Sequence, residues 1–102
     1  MKKLLLAATL LAAMSAQANQ DQEICDSYAN LASIIMEQRQ SGVSMREMMG
    51  RADGREPHES MVVEVYGMPQ YSTPDFKNRA INEYADRWYL NCIRRQRVNN
   101  AN

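Results

Sequence analysis

Residues 73–92 read TPDFKNRAINEYADRWYLNC, and this stretch decides the fold. Thr73 is a helix cap, Pro74 suits the first helical position, and Asp75 places an acid in the first turn. Phe76, Ala80, Ile81, Tyr84, Ala85, Trp88 and Cys92 then recur at helical spacing, predicting a long amphipathic helix. Glu83 and Arg87 stand four apart in the favourable order for an ion pair. Arg94, Arg95 and Arg97 follow toward the helix C-terminus, where cations suit the dipole, and Asn99 to Asn102 are expected to fray.

The cysteine closing that stripe has one possible mate, Cys25. The segment around it, Asn19 to Gln40, also reads as a helix. Asn19 and Gln22 fit a capping box, and Asp21 and Glu23 suit its first turn. Ile24, Tyr28, Leu31 and Ile35 form its stripe, extended by Cys25, Ala32 and Met36. Gly42 is placed to take the left-handed conformation that ends it. A Cys25–Cys92 bond then requires the first and last helices to run antiparallel, side by side.

Two shorter helices lie between. Ser44-Met45-Arg46-Glu47 is a capping box, with Val43 and Met48 at the positions of a hydrophobic staple; Asp53-Gly54-Arg55 breaks this helix after about Ala52. Pro57 sits in the first turn of the next, with Met61, Val62, Val65 and Tyr66 on its buried side and Gly67-Met68-Pro69 at its end. The β-branched run Met61–Tyr66 also suits a strand. No second segment offers a partner, and a lone strand is not stable, so helix is preferred. The expectation is an all-α bundle of about four helices, two long and two short, closed by one disulfide.

The N-terminus sets the address. Met1-Lys2-Lys3 is a short positive segment, Leu4 to Met14 is apolar apart from Thr9, and Ala16 and Ala18 occupy the small-residue positions of a cleavage site. The apolar run is about 11 residues, against roughly 20 for a bilayer-spanning helix. Residues 1–18 read as a secretory signal cleaved after Ala18, with the periplasm as destination and no stable membrane insertion afterwards. A single domain of 84 residues, 19–102, remains. An oxidising compartment allows the disulfide, and the loop it closes is worth roughly 4 kcal/mol on the chain-entropy estimate. The Cys25 and Cys92 spacing is wrong for a redox CxxC motif, and two cysteines with one histidine make poor zinc ligands.

The exported domain carries ten basic and twelve acidic side chains, which argues against nucleic-acid binding. Residues 19–76 hold four basic and ten acidic groups; residues 77–102 hold six basic and two acidic. This asymmetry suggests internal pairing, an oriented contact, or plain solvated helix faces.

Candidate sites are few. His58 is the single histidine, with no Gly-x-Ser-x-Gly motif or spare thiol beside it, and reads as an exposed first-turn residue. Glu56, Glu59 and Glu64 supply carboxylates, but Glu56 and Glu59 suit a helix N-terminus on electrostatic grounds alone. Met45, Met48 and Met49 cluster on the second helix, with Met61 and Met68 following. Thioethers of this kind pack cores, make adaptable partner surfaces, or bind Cu(I). Tyr84, Trp88, Tyr66 and Tyr71 read mostly as core, whereas Tyr89 with Arg94 and Arg95 has the composition of an interface patch. The expected partner-binding residues are therefore Met45, Met48, Met49, Tyr89, Arg94 and Arg95. No catalytic residue, metal ligand or cofactor is assigned.

Several stretches carry a resemblance: Cys25-x-x-Tyr28-Ala29-x-Leu31-Ala32, Met36-x-x-Arg39-Gln40-x-Gly42-Val43, Met45-x-x-Met48, Tyr71-Ser72-Thr73, and Trp88-Tyr89-Leu90-x-Cys92. Together they resemble a family of small exported proteins of bacteria and their phages or prophages, disulfide-linked and without an assigned activity. The resemblance implies fold and compartment and brings no catalytic residues. In build alone the chain is similar to HdeA-type acid-stress chaperones. The leading expectation is a periplasmic, non-enzymatic protein that binds another envelope protein. The alternatives are an acid-stress-type chaperone and a Cu(I) carrier.

Overall fold

The computed structural model describes the backbone of residues 2–101 and the side chains of residues 19–101. The side chains of the export segment, 1–18, lie outside the described residues. The chain forms four helices: α1 (Lys2–Gln40), α2 (Met45–Ala52), α3 (His58–Tyr66) and α4 (Pro74–Ala101). The run Met61–Tyr66 is helical, and no strand occurs among the described residues. No helix among them is long and apolar enough to cross a membrane.

The two long helices form an antiparallel pair. The Lys77 ammonium donates to the Gln40 carbonyl (2.7 Å), the Tyr28 and Trp88 rings lie 6.2 Å apart, and Asn100 donates to Asp21 (2.6 Å). Between these contacts, Cys25 and Cys92 form the expected disulfide with Cα atoms 5.5 Å apart. Each step toward the start of α1 is thus matched by a step toward the end of α4.

Two predicted ends move. No boundary occurs at Asn19; α1 continues back to Lys2, because residues 4–18 contain neither Gly nor Pro and are rich in strong helix formers. At the other terminus α4 stays helical to Ala101 instead of fraying at Asn99, since α1 lies alongside as far as Asp21. Arg94, Arg95 and Arg97 consequently fall before the last turn, which holds no basic residue.

The short connections follow their sequence signals. Gly42 adopts φ 89°, while Val43 N–H donates to Gln38 O and Gly42 N–H to Arg39 O, the paired bonds of a Schellman cap. Ser44 Oγ accepts from Glu47 N–H at 3.2 Å, the forward half of the capping box. The Glu47 carboxylate pairs instead with Arg51, 2.9 Å away. Pro57 is one residue earlier than expected, at the cap of α3 rather than inside its first turn, and makes no side-chain cap bond. Glu56 supplies it, accepting from both the N–H and hydroxyl of Ser60.

Ala32, Ile35 and Met36 of α1, Met48 of α2, Met61, Val62 and Val65 of α3, and Tyr84 of α4 form the core. Two predicted stripe members fall outside it: Ile24 is 43% exposed and Phe76 51% exposed. Facing Cys25 toward α4 rotates Ile24 away by about 100°. Phe76 lies near the end of α1, where Gln40 meets Lys77, and stacks on Tyr71 at 5.9 Å instead.

Gln40 is the one buried polar residue among those described, and it ties the α3–α4 connection to α1. Its side-chain amide donates to Pro69 O (3.0 Å) and its carbonyl oxygen accepts from Tyr71 N–H (2.9 Å). Arg39 adds a bond to Met68 O at 3.2 Å and lies 5.1 Å over the Tyr66 ring. Gln40→Leu keeps the volume but strands the part-buried Pro69 carbonyl and Tyr71 N–H. It is expected to lower stability by about 1–3 kcal/mol, measured as a shift in denaturation midpoint.

Candidate binding cleft

Two neighbouring rows on α4 define the site. Arg87, Asn91 and Arg95 are spaced four apart, as are Trp88, Cys92 and Gln96, so each set lies in line along the helix. Trp88 and Cys92 turn toward α1, where Tyr28 meets Trp88 and Cys25 bonds Cys92. The companion row borders the same cleft as Pro57 and Glu64. These two border the rows from the α3 side, across a gap that stays open. The result is an open cleft of about 440 Å³ lined by Tyr28, Pro57, Glu64, Arg87, Trp88, Asn91, Cys92, Arg95 and Gln96.

The cleft has aromatic walls and a charged rim. Trp88 donates its indole N–H to the Tyr84 hydroxyl at 2.9 Å, which fixes the ring's orientation. Burial pushes the Tyr84 phenol well above its ordinary range, and the nearby Glu64 carboxylate adds to the effect. The Trp88 hydrogen bond and Arg87 oppose it. Glu64, Arg87 and Arg95 carry the rim charge, and none of them forms an ion pair among the described residues. The predicted Glu83–Arg87 pair is not made; an exposed pair of this kind contributes only a few tenths of a kcal/mol, too little to hold two long side chains together. Nor do the acidic front and basic tail pair internally: Glu47–Arg51 is the ion pair among the described residues.

The expected partner residues are distributed differently. Met45, Met48 and Met49 share one face of α2, and that face packs inward. Met48 is 2% exposed in the core, Met49 is half-buried against it, and Met45 stands at the edge, 41% exposed. The Met48 sulfur accepts from the Arg51 guanidinium at 3.7 Å, so a cuprous ion reaching it would meet a fixed positive charge. Met61 is core and Met68 packs against it.

Tyr89 is separated from Arg94 and Arg95 by roughly 120–140° around the helix. Tyr89 is half-buried, Arg94 is exposed, and only Arg95 of the three lines the cleft. His58 opens α3 and is half-buried rather than exposed. Glu56 is occupied by Ser60, and Glu59 and Glu64 share the outer side of α3 with it, in no buried acid–base arrangement.

Asn91 and Gln96 were not singled out by sequence; Tyr28, Pro57 and Arg87 were read there as structural residues, and Glu64 as one of three candidate carboxylates. The two i, i+4 rows flanking Cys92 were a readable signal for the α4 members. Pro57 and Glu64 join only through the docking of α3.

A smaller groove of about 260 Å³ lies on the far side of Arg87, between Met36, Met68, Pro69, Tyr71, Ala80 and Glu83. Phe76, stacked on Tyr71, lies 5.6 Å beneath the Arg79 guanidinium.

No known protein family, characterised protein or solved structure matches this chain.

Proposed function

We propose that this protein is exported to the periplasm, loses residues 1–18, and acts there without catalysis by binding another envelope protein through the α4 cleft. The cleft's composition carries the reading. Tryptophan, tyrosine and arginine are the residues that anchor protein interfaces, and here Trp88, Tyr28, Arg87 and Arg95 converge on one concave surface. The tryptophan is held in place by its bond to Tyr84, so little side-chain freedom is lost on docking.

The disulfide supports export: a bond that closes nearly the whole domain suits an oxidising compartment.

The test has two parts. Expression in a Gram-negative host should yield a periplasmic protein whose mass begins at Asn19; a cytoplasmic product retaining residues 1–18 defeats the export claim. A photocrosslinking residue at Asn91, within the cleft, should capture one discrete partner that the same residue at exposed Ser41 does not. Equal labelling from both positions defeats the binding claim.

A further inference from the structure

The geometry points to Cys92 as a site of thiol–disulfide exchange that takes anionic thiols in preference to neutral or cationic ones. Exchange at Cys92 is a property of the unoccupied cleft, whichever protein binds there. The two sulfur-bearing residues are unequally accessible: Cys25 is 0% exposed, while Cys92 is 8% exposed and forms part of the cleft wall. Exchange requires a thiolate to reach a disulfide sulfur directly. Of the two, Cys92 is the residue that borders the open cleft.

The charge around this approach is asymmetric. Arg95 is three residues beyond Cys92 on α4 and therefore its neighbour on the same helix surface. Arg87 lies further along the same cleft, and Glu64 faces it from α3. The net rim charge is positive, with Arg95 nearest the sulfur by helical spacing. A cation there raises the local concentration of an anionic thiol and stabilises the thiolate as it arrives.

The chemistry balances with the thiol as sole co-reactant. The incoming thiolate forms a bond to Cys92 Sγ. The Cys25–Cys92 bond breaks, its electron pair leaves on Cys25 Sγ, and that thiolate takes a proton from water. A second thiolate attacking the mixed disulfide releases Cys92 as thiolate. The protein disulfide is reduced and two small thiols are oxidised to their disulfide.

The oxidised protein is mixed with glutathione (net negative), 2-mercaptoethanol (neutral) or cysteamine (positive). Each reaction is quenched with acid at early times, the released thiol is capped with a maleimide, and the products are mapped by mass spectrometry. The adduct is expected on Cys92 and the maleimide on Cys25. After correction for thiol basicity, glutathione should react about tenfold faster than cysteamine at low salt. The preference should shrink at high salt and disappear or reverse in Arg95→Glu. Arg95 is exposed, so this variant is expected to keep the wild-type circular dichroism spectrum. An adduct found mainly on Cys25, or the same charge preference in wild type and Arg95→Glu, would overturn the assignment.

Discussion

Replacing Cys25 and Cys92 together by serine lowers the free energy of unfolding by about 4 kcal/mol, the closure entropy of a loop this long. Small domains hold only about 5–15 kcal/mol in total, so this loss is a large share. At roughly 4–8 °C per kcal/mol, the melting temperature should fall by about 20 °C or more. The loss should be uneven along the molecule. The core cluster runs from Ala32 to Tyr84 and packs without the bond. Toward the outer parts of α1 and α4, the helices also meet through the Tyr28–Trp88 ring contact and the Asp21–Asn100 hydrogen bond. Amide exchange should therefore accelerate most over residues 21–28 and 88–100, and least in α3. A double-serine protein that melts where the wild type does would show that the bond does not constrain the unfolded chain.

Truncating Tyr84 to alanine should have a comparable effect, about 3–5 kcal/mol, because it is the largest fully buried side chain and the one α4 places in the core cluster. Tyr84→Phe is the milder probe. It keeps the ring but removes the acceptor of the Trp88 indole N–H, at a cost of about 1 kcal/mol.

The pair of variants also separates packing from titration. Burial raises the Tyr84 phenol above the model-peptide value of 10.0, so the native state resists ionisation that the unfolded chain accepts. Its contribution is intact below about pH 10 and is lost as pH climbs beyond that, at up to roughly 1.4 kcal/mol per pH unit. Tyr66, raised in the same direction by burial, adds to this alkaline limb. Denaturant midpoints followed from pH 8 to 12 should fall less steeply in Tyr84→Phe than in wild type. Identical slopes would mean that the Tyr84 hydroxyl ionises as easily folded as unfolded.

Helix positions were legible because each rests on a local signal. Gly42, Ser44 and the Asp53–Gly54 turn act through the backbone within a few residues, and the chain stops and starts where they say. Asn19 shows the limit of such signals. Its capping pattern is sound only for a chain that begins there, and with residues 2–18 attached the helix runs straight through. Stripe membership was less legible. A helix wheel assigns Ile24 and Phe76 to the apolar side, but burial also needs something opposite, and that depends on where the neighbouring helix lies and ends.

The candidate site was read in fragments. Of Tyr89, Arg94 and Arg95, only Arg95 lines the cleft, since chain proximity does not survive rotation about the helix. The methionines were identified as a cluster, yet whether such a face packs or binds depends on what it meets. Here it meets α3 and the core.

For this protein, the sequence by itself determined the helical class, the number of helices and the pairing of its two cysteines. Those follow from spacing, caps and elimination, which are properties of a chain read in order. Only the tertiary structure decided that the disulfide borders an open cleft, with Cys92 at its wall and Cys25 sealed beneath. That asymmetry depends on how α1, α3 and α4 meet in space, which no single stretch of the chain specifies.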